Sequence, residues 1–329
     1  IIVSMSITYV TAQMVATGKA FNSFLGMDYA FGVILGSIFI IGYTFVGGYK
    51  ASSYTDVFQG SLMLLGLIIV PAAAIYASGG WGEVLSNLAT QDPHLIDLFA
   101  ASANGEPSLI IIASFLAIGL PLLGMPQLLV RFISARDDGE LKKARVVSTS
   151  VLLMLTLGAV TAGVAGRALF PGLEDPETIF PVISNNLFPQ IISGLLLIVV
   201  LSAIMSTVDS LLLLVSSSVI RDTYQKIFKS NKNERVLSRY GKYITILIGL
   251  LSVFIAIQEP RVIFDFVLLS WSGLGSAFGP VIIGILYNKK ITWEGVIVGM
   301  SGGFLASTIW VTWFKEEYYG LYEAIPGFI

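Results

Sequence analysis

Long apolar runs, broken by short polar stretches, set the pattern of this chain. Nine runs stand out, at about 1–24, 29–47, 56–78, 108–134, 146–170, 187–219, 240–258, 262–287 and 292–314. Several approach or exceed the ~20 residues that carry a helix across a bilayer. Lipid satisfies no backbone groups, so each run is predicted to be helical. A β-barrel is excluded because its strands alternate over ~10 residues and these runs do not. The pattern predicts an all-α polytopic membrane protein of about nine transmembrane helices. No low-complexity linker divides the chain, so 1–329 reads as one membrane domain.

Composition agrees with the pattern. The 329 residues are 55% hydrophobic and only 12% charged, against about 25% charged in a soluble domain. Mean hydropathy is +0.83. Orientation follows from the basic residues of the short loops. Of nineteen Lys and Arg, fifteen fall on one side, at 50, 131–145, 221–242 and 289–290. The long stretch 79–107 holds none. The start of the first span and the 220–239 loop are therefore expected in the cytoplasm, and 79–107 outside. The cell membrane is the expected location. There is no cysteine, and the one histidine, His94, lies in a polar loop, which excludes disulfides, thiolate metal sites and histidine chemistry in the membrane. The chain opens at Ile1 inside an apolar run, with no basic n-region or cleavage site, so no signal peptide is expected. It stops at "GFI", and we read it as a fragment of a longer protein.

Polar residues inside the runs are where chemistry is sought. In "SAIMSTVDSLLLLVSSS", helical spacing puts Ala203, Ser206, Thr207, Ser210 and Ser217 in one stripe. Ser202, Asp209 and Ser216 form a second polar row beside it. Hydroxyl, carbonyl and carboxylate oxygens suit a hard cation such as Na⁺. The bland alternative is that small residues let helices approach closely. Asp209 tilts the balance, since a carboxylate at mid-bilayer costs at least ~2.5–3.5 kcal/mol and so faces a cavity or a partner. A protonated Asp209 would instead suit a proton-coupled machine. "GLPLLGMPQ" sets two glycines and two prolines within the fourth run, which predicts an unwound segment lining a cavity, as in secondary transporters. In "GGYKASSYTDVFQG", Asp56 taken alone reads as a charge favoured by a helix N-terminus. Trp271, in "SWSGLGSAFGP", reads as packing or the rim of a cavity. Tyr9 and Gln13 share one face of the first span, as a cavity wall or an interhelical hydrogen bond. No P-loop, zincin motif or nucleophile elbow appears, which argues against an ATP-driven pump or an enzyme. An ion-coupled transporter, a channel or a membrane sensor remains.

"GGYKASSYTDVFQG", "GMPQLLVRFISARD", "AIMSTVDSLLLLVSSSVIRDTYQK", "SGLGSAFGP" and "GLYEAIPGFI" together resemble the sodium/solute symporter family, in order and nearly end to end. The resemblance implies a partial leucine-transporter fold, two inverted five-helix repeats with the site at their interface. It implies further spans before Ile1, including a first broken helix. By that resemblance Ala203, Ser206 and Thr207 bind Na⁺, and Asp56, Asp209 and Ser210 form a second cation site. Tyr9 and Pro126 match residues near the solute. Ile118 and Leu122 stand where some members carry aromatic residues. With Gln13 and Trp271, these complete the expected solute pocket. The expected coupling ion is Na⁺, and the expected partners are a small organic solute and the lipid bilayer, with no nucleic acid. Candidate solutes are proline, another amino acid, sialic acid, pantothenate or a sugar.

Overall fold

The computed structural model describes residues 1–97, 109–228, 232–258, 263–287, 290–316 and 320–329. Every regular element among them is helical. In chain order they are α1 (Ile2–Leu25), α2 (Tyr29–Ala77), α3 (Trp81–Gln91), α4 (Leu109–Ala117), α5 (Pro126–Ile133) and α6 (Asp138–Leu169), then α7 (Ile179–Leu187), α8 (Gln190–Ser217), α9 (Glu234–Gln258), α10 (Ile263–Tyr287), α11 (Trp293–Ile309) and α12 (Ala324–Phe328).

α2 runs for 49 residues. Straight, it would be about 73 Å long, more than twice the ~30 Å hydrocarbon core. It is not straight. Gly48 has φ 67° and ψ 178°, a region open essentially to glycine alone, and splits the run in two. The side chains of Tyr43 and Thr55, twelve residues apart, hydrogen-bond across the bend. On a straight helix that separation would be about 18 Å. The sequence predicts two spans with a loop over 47–56; the structure has the two spans joined by one glycine, with helix resuming at once.

The predicted break in the fourth run is present. α4 ends at Ala117, a 3₁₀ turn covers Leu120–Gly124, and α5 starts at Pro126 with a bend of 47°. Proline suits the first position of a helix because its missing N–H has no partner there anyway. Among the described residues, six helices are long and apolar enough to cross a membrane, or seven with the bent pair taken as one span. The nine of the sequence reading differ because the two halves of α2 count once and because α1, though 24 residues long, is studded with Ser, Thr, Gln, Lys and Asn.

The expected loops carry structure. In 79–107, α3 turns Val84 and Leu88 inward, one helical turn apart; residues 98–107 lie outside the described set. In 220–239, α8 continues as a π-helical stretch, Ser218–Ile227, and α9 begins at Glu234, whose carboxylate holds Arg221.

Apolar burial gives little net attraction between helices in lipid, so close packing and small residues hold the bundle. The largest buried cluster joins α1, the first half of α2, α8 and α9 through Val10, Met14, Val33, Ile40, Leu211, Leu212 and Ile248. A second joins α1, α2, α3, α6, α7 and α8 through Phe21, Phe24, Val70, Val84, Ala165, Ile183 and Leu196. The break docks on α10 backbone to backbone. A Cβ at Gly275 would lie 2.2 Å from the Pro121 Cα, and one at Gly124 would lie 2.3 Å from the Gly279 nitrogen. At the end of α1 opposite the Gly48 bend, Lys19 pairs with Asp175 (2.8 Å) and Glu177 (2.7 Å), and Glu177 also accepts the Phe264 N–H at the start of α10.

Candidate functional site

α8 crosses the bundle with its polar residues where the sequence placed them. The hydroxyls of Ser206 and Thr207 both donate to the carbonyl of Ala203, at 3.0 and 3.1 Å. Ser210 donates to the Ser206 carbonyl at 3.0 Å. Serine and threonine in a helix satisfy themselves this way. The proton goes backward along the helix and the oxygen lone pairs remain free. Ala203, Ser206 and Thr207 are half-buried, and the shared acceptor draws their three oxygens together. Hard oxygen donors of this kind fit Na⁺.

The second cation set is brought together, but around a residue the sequence reading used only for topology. Arg131, in the last turn of α5, places Nη2 2.6 Å from Asp56 Oδ2 and 2.9 Å from Ser210 Oγ. One guanidinium nitrogen thus links the second half of α2, α5 and α8. Asp56 is no simple helix-terminal charge. Its Oδ1 is buried without a hydrogen-bond partner while its Oδ2 binds Arg131. Asp209 is fully buried. Its Oδ1 lies 3.4 Å from the Ser210 hydroxyl, and its Oδ2 has no partner. It faces a small pocket at the Gly48 bend lined by Tyr43, Thr44, Gly47, Ser52 and Leu213. Arg131 lies five residues past Pro126, just after the predicted break, but nothing local in the sequence pairs it with Asp56 or Ser210.

A cavity of about 570 Å³ reaches this cluster. Ser52, Gln127, Arg131 and Ser210 line it, together with Ser216, Ser217, Arg221, Lys242 and Thr245. It is rich in hydroxyls and in basic residues.

The expected solute residues divide. Tyr9 and Trp271 meet edge to face, with ring centroids 6.5 Å apart and planes at 69°. Tyr9 is buried, and the Trp271 indole N–H is buried beside the Tyr9 hydroxyl without a well-aligned hydrogen bond to it. The hydroxyls of Ser6, Thr11 and Ser270, on the same two helices, are also buried and unpartnered. An indole N–H that gives up water normally finds an acceptor, so this group has spare capacity. Gln13 is half-buried one turn along α1 from Tyr9. Ile118 packs elsewhere, with Ala117, Leu268 and Tyr322. Leu122 is half-buried in the 3₁₀ turn, and Pro126 is buried at the start of α5.

Comparison with known proteins gives the family and the fold. The model of the sodium:solute symporter family matches residues 1–303. The sodium/proline symporter of Staphylococcus aureus is 38% identical over 341 residues, covering 100% of this chain and 66% of that protein. The sodium/proline symporter of strain Newman is likewise 38% identical, with 65% of its length covered. The chain thus spans about two thirds of these relatives. Among solved structures, the substrate-bound outward-open state of a Na⁺-coupled sialic acid symporter superposes with a TM-score of 0.73 at 20% identity, covering 99% of this chain and 71% of that one. At that identity the likeness shows the fold, an all-helical leucine-transporter arrangement. This chain belongs to the sodium:solute symporter family.

Proposed function

We propose that the full-length protein couples inward movement of Na⁺ to uptake of a small organic solute across the cell membrane. The observation that carries this reading is the oxygen cluster of Ala203, Ser206 and Thr207, in which both hydroxyls spend their protons on the Ala203 carbonyl and keep their own acceptor capacity. Na⁺ held there completes its shell with oxygens from outside α8 and so ties α8 to a neighbouring element. Solute and ion then favour the same conformation, a reciprocal coupling of typically ~1–3 kcal/mol. The membrane potential adds ~2.3 kcal/mol per charge per 100 mV. The start of α1, the 220–239 segment and the basic cavity face the cytoplasm in this reading, and 79–107 faces outside.

Arg131 acts as the resident cation of the second site. With its guanidinium on Asp56 and Ser210, a second Na⁺ has no place; when α5 swings the arginine away, Asp56, Asp209 and Ser210 are free to take one. The solute sits beside Tyr9, Gln13 and Trp271, with Leu122 and Pro126 of the break completing the wall; Ile118, packed with Leu268 and Tyr322, stands apart from it. The Trp271 indole N–H, held by no well-aligned bond to Tyr9, can turn to a better acceptor, which a carboxylate supplies. Proline, the solute named for the relatives at 38% identity, meets that requirement.

One observation favours a second reading. Asp209 is fully buried with one oxygen unpartnered, a place where a proton could ride in place of a second Na⁺. A panel of radiolabelled solutes, offered to the full-length protein in proteoliposomes with and without a Na⁺ gradient, separates the two. Na⁺-dependent proline uptake supports the proposal; uptake that follows a pH gradient in the absence of Na⁺ supports the proton reading.

A further inference from the structure

Beyond α11 the chain folds back as "GLYEAIPGFI", residues 320–329, and buries a carboxylate. Glu323 is 1% exposed. Its Oε1 lies 3.2 Å from the Ser272 hydroxyl, which shares its one proton between this oxygen and the Leu269 carbonyl at 3.0 Å, and its Oε2 lies 2.9 Å from the Lys315 ammonium as an ion pair. A buried carboxylate is costly, and a half-satisfied one more so. The segment fastens to three helices around it. The Tyr322 N–H donates to the Ser114 hydroxyl of α4 at 3.0 Å, and the Tyr322 phenol to the Leu268 carbonyl of α10 at 3.3 Å. Burial first and the Glu323 carboxylate second push that phenol far above its ordinary range, so it stays a donor. The Trp310 indole N–H donates to the Leu321 carbonyl at 2.9 Å. Gly327 and Phe328 fill the remaining face of α10, where a Cβ on Gly279 would lie 2.5 Å from the Phe328 ring. α10 is therefore gripped from two sides, by the break at Gly275 and Gly279 and by this segment at Leu268, Ser272 and Gly279. Ser272, the residue Glu323 holds, directly follows Trp271.

We propose that residues 320–329 form a strap that fixes α10 against α4, the first half of the broken span. Glu323 is its positioning residue, and it sets where Trp271 stands in the solute pocket. The strap grips through α4, α10 and the end of α11, whereas the sodium oxygens of α8 are organised by hydrogen bonds within α8 itself. Releasing the strap should therefore weaken solute binding and spare sodium binding. This part rests on the assignment of Tyr9 and Trp271 to the solute site.

The test uses the full-length protein, wild type and Glu323→Gln, with Glu323→Asp as the conservative variant. Radiolabelled proline binding, radiolabelled Na⁺ binding and hydrogen–deuterium exchange are measured on each. In Glu323→Gln, half-saturation by proline is expected to rise about tenfold, with Na⁺ half-saturation within about twofold. Exchange should rise in 109–117 and 263–276 and stay level in 202–210. Glu323→Asp should recover most of the proline affinity. No change in exchange or proline affinity overturns the strap. So does a parallel loosening of α8 with loss of Na⁺ binding, which marks general destabilisation. If wild type binds no proline, the exchange pattern alone decides the strap, and the solute assignment fails separately.

Discussion

Ser206 and Thr207 share one acceptor, the Ala203 carbonyl, and that economy holds both hydroxyl oxygens within hydrogen-bond distance of it. Arg131 is the fixed charge of the neighbouring cluster, bonded to Asp56 and Ser210. Replacing Arg131 with Gln frees Asp56 and Ser210 and should lower the Na⁺ concentration for half-maximal uptake several-fold, read from sodium titrations in proteoliposomes; a higher requirement would contradict the role of resident cation. Asp56→Asn removes the partner instead and leaves a guanidinium 39% exposed, with water as its alternative. Water softens that loss, so the variant should still fold while its sodium dependence changes. The oxygens of α8 were legible because helical spacing alone aligns 203, 206, 207 and 210. The Arg131 contact was not, because it joins residues 75 and 79 positions apart, and local periodicity carries no information at that range.

At the scale of the element, two helices depend on single glycines. Gly48 adopts φ 67° and ψ 178°, so Gly48→Ala should destabilise the protein by about 1–3 kcal/mol. A lower thermal midpoint in detergent would show this; an unchanged midpoint would mean that the bend is not fixed by that backbone conformation. Gly275→Leu drives a side chain into the Pro121 backbone, 2.2 Å from its own Cβ position, and should separate α10 from the break. Proline uptake should fall while radiolabelled Na⁺ binding persists; loss of both would move the effect from the break to the whole fold. The break at "GLPLLGMPQ" could be read from the sequence because proline and glycine oppose a continuous helix by local chemistry. The one-residue bend in α2 could not. A Gly-Gly-Tyr-Lys stretch with a basic residue looks like a loop, and only the packing of Tyr43 against Thr55 shows how tightly the chain turns.

For the molecule as a whole, the inverted-repeat fold sets broken and bent helices around a polar interior, and the proposed orientation rests on the charge asymmetry of the loops. Ser86→Cys on α3 and Arg239→Cys on α9 test it, since both positions are exposed and the native stretch has no cysteine. A membrane-impermeant maleimide added to intact cells should label position 86 and spare position 239; the reverse pattern would invert the orientation. The fold class was legible at this scale because apolar run length is a physical requirement of the bilayer. The docking of 320–329 was not, since a short segment with one acidic residue gives no sign of being buried.

The central claim is that the α8 oxygens hold the coupling ion, and equilibrium binding of radiolabelled Na⁺ to the purified full-length protein tests it most directly. For Ser206→Ala combined with Thr207→Ala, half-saturation should rise at least about tenfold, the loss of ~1.4 kcal/mol or more. Binding at the wild-type concentration would contradict the account and return those hydroxyls to helix packing.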